Sequence, residues 1–423
     1  MELMDMDRDI SIIRELSRQV KEIAQMPVYQ EKKKKWANHN DLTGDMEPLL
    51  WICPDDDGGW LELVEEKDLL SVDPDYRCLE WQLRKMIYHH ENFQDDYVIE
   101  PVVRFDIPGE YTGYVYGSQT QKSAWGIKIE PMGISAGAYR MNNYLNNDEN
   151  LNRLLGHEVD FIIDLHKLDE LKEKYKEAIS GILDIEFHVP YSVLVQSLLI
   201  ELVHLRGLTE LMIDLYDEPE MLHKILDHMS SSKVKLLERL EEKGLTFDNC
   251  SNIYTGSGGL GYTNHSVKDK AQVKLHEMWG FADSQEFSSV SPEMFREFAL
   301  QYQSRGLKKF GYACYGCCEP LDMKYDAIFT ELPNIRRLSV SPWSNINIAA
   351  DAIGKKAIYS RKPDPAQICG GFDAWEMEKQ LSELRSVTAG KCYTEIILKD
   401  IRTIHHNPQT LISYVDLVNK IMK

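Results

Sequence analysis

The segment Lys309-Phe-Gly-Tyr-Ala-Cys-Tyr-Gly-Cys-Cys-Glu-Pro-Leu321 crowds Cys314, Cys317, Cys318 and Glu319 into a few positions. Thiolates beside a carboxylate can hold a soft metal ion or present a nucleophile. The run before them is apolar and aromatic, as a buried strand would be, which puts the thiols at a strand end. Read for packing alone, the same cysteines are small core hydrophobes. A further thiol, Cys392, lies at the start of a later apolar run, Tyr393-Thr-Glu-Ile-Ile-Leu398.

Other reactive types stand at the ends of comparable runs: Tyr254; Trp279 with Asp283 and Gln285; Ser341 and Trp343; Arg361, Lys362 and Asp364. Such a set fits a polar pocket with aromatic walls. Gly256-Ser-Gly-Gly-Leu-Gly261 lacks both the lysine of a P-loop and the G-x-G-x-x-G order. Its glycines fit a sharp turn or a close backbone approach better than a phosphate cradle.

Something must position these groups, and the alternation of apolar runs supplies it. Strands are expected at 48–53, 98–105, 185–189, 253–254, 278–282, 310–315, 337–341, 356–360 and 393–398. Helical stripes lie between them, such as Met221, Leu222, Ile225, Leu226 and Met229, opened by Asp217 and Pro219 and stopped by Gly244. Strands alternating with helices imply a parallel sheet covered by helices. Without a dinucleotide fingerprint on the first unit, the pattern favours an α/β fold of the (β/α)8 TIM-barrel type, with the site at the carboxyl ends of the strands. Residues 1–47 form a helical N-terminal extension, and 48–423 a single barrel domain. The Gly-, Tyr- and Asn-rich stretch around 108–157 is expected to be an insert or lid, and 159–180 helix.

The 423 residues are 43% hydrophobic and carry a formal charge of −20. That balance argues against nucleic acid and anionic membranes as partners, since both attract basic faces. No apolar run reaches the ~20 residues of a membrane span. The N-terminus, Met-Glu-Leu-Met-Asp-Met-Asp-Arg, lacks the order of a signal peptide. Eight cysteines, three of them clustered, suit a reduced compartment, so the expected location is cytoplasmic. The helical extension offers a surface for a homodimer.

From about residue 215 onward the sequence resembles the uroporphyrinogen decarboxylase-like superfamily. It is closest in motif to the cobamide-dependent, methylcobamide:coenzyme M type methyltransferases. The resemblance rests on Trp279-Gly-Phe-Ala-Asp-Ser-Gln285, Ser291-Pro-Glu-Met-Phe295, Tyr315-Gly-Cys-Cys-Glu319 and Gly390-Lys-Cys392. It implies a zinc ion held by Cys317 and Cys392, with a methyl group moving between a small-molecule donor or acceptor and a cobamide carried by a separate corrinoid protein. Tyr315 stands where that family has a histidine, so either Cys318, Glu319 or His276 completes the metal set or the metal is absent. Asp283 and Glu319 are the expected catalytic groups. Tyr254, Trp279, Gln285, Tyr315, Arg361 and Lys362 are the expected substrate contacts. Two alternatives stand beside this reading: a metal-free decarboxylase or lyase acting on a carboxylated substrate through Asp283 and Arg361, and a non-catalytic binding barrel.

Overall fold

The computed structural model describes residues 2–423 except 117, 119, 131–141, 266, 268, 270 and 271. Eight strands matter for the site: β1 (Leu49–Pro54), β2 (Val102–Asp106), β3 (Asp184–His188), β4 (Trp279–Ala282), β5 (Tyr312–Tyr315), β6 (Ile335–Val340), β7 (Ile358–Arg361) and β8 (Tyr393–Ile401). Six of them form one curled parallel sheet in the order β1-β8-β7-β6-β5-β4. β2 and β3 form a separate parallel pair. Parallel neighbours need long crossovers, and helices supply them. The architecture is therefore α/β and TIM-like, with a half-barrel of six strands. Among the described residues no ladder joins β1 to β2 or β3 to β4.

Three side-chain contacts and one loop amide satisfy groups on the two open edges of the six-stranded sheet. On β1, Leu50 N–H donates to Asp96 Oδ2 (2.8 Å) and Ile52 N–H to Asp95 Oδ2 (2.9 Å). On β4, Trp279 N–H donates to Asn249 Oδ1 (2.8 Å), and Gln196 N–H reaches the Phe281 carbonyl (2.8 Å). Buried backbone groups left unpaired are costly, so these contacts end the sheet without a further strand.

Strand alternation sorts the side chains. Ala282, Ala313, Tyr315, Leu338, Val340, Tyr359, Ile396 and Leu398 pack outward into the main core under the helices. Trp279, Phe281, Tyr312, Cys314 and Ile358 cluster on the concave face. With them lies a fully buried ion pair, Arg337 Nε to Glu395 Oε1 at 2.9 Å. Burial pushes the Glu395 carboxyl up, but Arg337, His39 and Lys362 together outweigh it and hold Glu395 down at about 2.

Backbone and extension close the amino-terminal end of this face. Of the N-terminal helices α1 (Glu2–Ala24) and α2 (Pro27–Asn40), the second reaches inward. Asn40 Nδ2 donates to the Leu260 and Tyr262 carbonyls (both 2.7 Å), and Arg337 donates to Asn40 Oδ1 (2.8 Å). The glycine stretch lies against the same arginine: a Cβ on Gly259 would meet the Arg337 guanidinium carbon at 2.7 Å. What these glycines approach is the interior of the sheet.

Two expectations shift. The helix expected over 159–180 runs from Leu165 to Ile179, because Phe161–Ile163 pairs antiparallel with Gly109–Tyr111. That pairing is long-range, so local periodicity carries no trace of it. The expected strand at 98–105 narrows to Val102–Asp106. The expected insert holds the Gly109–Tyr111 strand of that ladder, a two-residue ladder at 123–128 and the helix Asp148–Gly156, while 117, 119 and 131–141 lie outside the described residues. Among the described residues no helix is long and apolar enough to cross a membrane.

Candidate active site

The turn after β5 builds the centre of the site. Gly316 takes φ +87°, a conformation that L side chains rarely adopt. Its N–H donates to the Ala282 carbonyl at 3.0 Å. Strict alternation would send Cys317 and Cys318 to opposite faces; the left-handed glycine breaks it, and both thiols reach the end of β8. Cys317 Sγ lies 3.4 Å from Lys399 Nζ and 3.6 Å from Cys318 Sγ. Cys318 Sγ lies 3.6 Å from Asp400 Oδ2, and Lys399 Nζ lies 2.9 Å from that same oxygen.

The electrostatics follow from these contacts. Burial opposes the charge on Lys399, but Tyr254, Cys317, Asp400 and Cys318 together raise its pKa, so it stays an ammonium. The two thiols titrate as a unit. The hydrogen bond from Cys317 lowers Cys318, and the same bond, together with burial, raises Cys317. The shared contact therefore makes Cys318 the more acidic thiol of the two.

A buried acid cluster backs the turn. Glu319, 1% exposed, accepts from the Ser284 N–H (2.8 Å) and the Cys317 N–H (2.9 Å), tying the end of β4 to the end of β5. Burial and then Asp283 raise Glu319 to about 7 and Glu286 to about 8. Asp283 accepts from Gln285 Nε2 at 2.8 Å, and its carbonyl from Gln303 Nε2 at 2.7 Å. Near neutral pH this cluster holds protons it could give away.

A cleft of about 760 Å³ opens between β1, β2, β3 and helix α3 (Pro74–Asn92), where the strand ladder is interrupted. Trp51, Trp60, Trp81 and Tyr97 wall it, with Tyr191 and Tyr254 at its inner side. Tyr254 meets Trp51 and Tyr191 edge to face, at 5.8 and 6.0 Å. Both tyrosines feel the charge of Cys317, so the aromatic cleft and the thiol centre are electrostatic neighbours.

The expected site residues thus divide. Cys317, Cys318, Glu319, Asp283, Gln285 and Tyr254 come together at this end of the sheet. Lys362 shares the concave face; its ammonium donates to Ser360 Oγ, and burial is the main cause lowering it to about 8. Arg361, the next residue toward the strand, points outward, donates to the Ser341 carbonyl and lines a different pocket with Trp343 and Asp364. Trp279 lies at the amino-terminal end of β4, stacked on Tyr312 at 4.9 Å. Tyr315 faces the helices, its hydroxyl on Gln303 Oε1 at 2.5 Å. His276 precedes β4, at the end opposite the thiols.

Cys392 also stays apart. It precedes β8 by one residue, while Lys399, which touches Cys317, sits near that strand's far end. Seven residues at ~3.3 Å each put roughly 20 Å between them along the strand. The Cys392 thiol instead packs on the Ala350 carbonyl (3.7 Å) of the helix Ile346–Ile353. The implied zinc set of Cys317, Cys392 and a third group therefore does not assemble. Among the described residues no three His, Cys, Asp or Glu side chains are grouped to hold a metal ion. Sequence reasoning missed Lys399 and Asp400, although both stand at the end of the expected last strand, where the strand-end rule would have found them.

No protein-family model matches this chain, and no curated protein matches it. Among solved structures it is similar to a methyltransferase from Methanosarcina mazei, at 12% identity and a TM-score of 0.46. That match covers 92% of this chain and 98% of the other. At such distance the likeness assigns neither activity nor site.

Proposed function

We propose that the chain is a cytoplasmic methyltransferase whose reaction centre is the Cys317–Cys318 pair held against Lys399. The carrying observation is the 3.4 Å contact between Cys317 Sγ and Lys399 Nζ, with a second thiol 3.6 Å away. An adjacent ammonium favours thiolate, and the thiolate is the nucleophile. The motifs shared with cobamide-dependent methyltransferases support methyl as the transferred group.

In this reading a methyl donor enters through the aromatic cleft. Sulfur of the pair forms a bond to the methyl carbon as the bond from carbon to its leaving atom breaks, and the electron pair departs with the leaving group. Where that group is basic, Glu286 or Glu319 supplies its proton. The co-substrate is a separate corrinoid protein that delivers or removes the methyl group. No step passes through zinc, because the implied ligands stand apart.

The test uses the full chain and methylcobalamin, followed by absorbance and by the mass of the peptide containing Cys317 and Cys318. Wild type is expected to demethylate the corrinoid and gain one methyl group on that peptide. Lys399→Met should be slower by about 100-fold, the scale of losing one preorganised charge. Equal rates in the two proteins, or no methyl on the peptide, would overturn the proposal.

A further inference from the structure

The two sulfurs at the end of β5 lie close enough to share one bound atom but are poorly placed to bond each other. A disulfide needs about 2.05 Å between sulfurs and usually a Cα separation of about 4.4–6.8 Å. Neighbouring residues on a trans peptide have Cα atoms only ~3.8 Å apart, so bonding Cys317 to Cys318 would strain the turn. Two sulfurs bonded to one atom at ~2.3 Å each lie within about 4 Å of one another. The observed separation is 3.6 Å.

The bridging atom must also be content with two sulfurs. Zinc seeks four ligands, and the carboxylate oxygen beside this pair, Asp400 Oδ2, is already held by Lys399 Nζ at 2.9 Å. A trivalent organoarsenical needs only two, because its third bond is already to carbon. Access is available: both thiols are partly exposed, whereas Cys314 and Cys392 are buried. Lys399 and Asp400 flank the sulfurs at 3.4 and 3.6 Å, leaving the pair held from one side.

We infer that Cys317 and Cys318 form a dithiol clamp for trivalent arsenic and chemically similar thiophiles, a binding site independent of the methyltransferase reading. The reaction is an exchange without change of oxidation state. Two S–H bonds and one arsenic–oxygen unit are replaced by two S–As bonds, and the two protons leave with the oxygen as water.

The test is titration of the full chain with phenylarsine oxide, read by intact mass and peptide mapping. One adduct is expected, on the Cys317–Cys318 peptide, surviving excess 2-mercaptoethanol but released by 2,3-dimercaptopropanol. Cys318→Ser and Cys317→Ser should each lose it in the monothiol wash, while Cys392→Ser keeps it. In wild type the adduct should also protect both thiols from iodoacetamide together, a readout that needs no variant to fold. An adduct mapping elsewhere, one that persists in either serine variant, or protection of a single thiol would overturn the inference.

Discussion

Lys399 Nζ stands 3.4 Å from Cys317 Sγ, so the last strand of the sheet places a cation on the thiol that follows the fifth. Removing that cation should raise the cost of the thiolate. Lys399→Met is expected to slow iodoacetamide alkylation of the pair at pH 7 by about tenfold, the change that ~1.4 kcal/mol produces. Unchanged alkylation would mean that the ammonium does not govern the thiols.

The acid cluster predicts a stability that falls with pH. Glu319 and Glu286 titrate at about 7 and about 8 in the folded chain, against ~4.3 for free glutamate. Between those values the native state keeps protons that the unfolded state has released. Stability therefore drops as pH rises from 5 to 8. Denaturant midpoints should fall progressively across that window, and Glu286→Gln should flatten the slope.

Glu395 works in the opposite sense. Held at about 2 by Arg337 together with His39 and Lys362, it adds stability above its unfolded value near ~4.3 and loses it as pH falls toward 2. Arg337→Met leaves a buried carboxylate without its ion-pair partner and should cost roughly 3–5 kcal/mol in chemical unfolding at pH 7. A cost below 1 kcal/mol would show that the interior pair is relaxed by water.

Gly316→Ala tests the turn. A side chain at φ +87° costs about 1–2 kcal/mol, and its Cβ would meet Leu321 Cδ1 at 2.6 Å. The variant is expected to fold with a lower melting temperature and to lose the joint reactivity of Cys317 and Cys318.

Cys392→Ala separates the approach to β8 from its far end. It removes a small buried group and should cost about 1 kcal/mol, with alkylation of Cys317 and Cys318 unchanged. A changed rate would place Cys392 in communication with the site.

The sequence by itself determined the alternation of strands and helices, the helical extension, and the cluster of thiols and carboxylates at the end of one strand. These are local properties: apolar period, capping residues, and neighbours in the chain. Asp283, Cys317, Cys318 and Glu319 were legible because each follows directly on an apolar run. Tertiary structure decided which strand ends meet. Cys392 directly precedes the strand that carries Lys399, yet only Lys399 reaches Cys317, because a strand advances ~3.3 Å per residue and its two ends lie at opposite ends of the sheet. Arg361 and Lys362 are adjacent in sequence, and strand alternation sends one to the helices and the other to the interior. Gly316 bends the chain so that neighbouring thiols share a side. No periodicity reveals that bend, since it follows from one backbone angle and the packing around it.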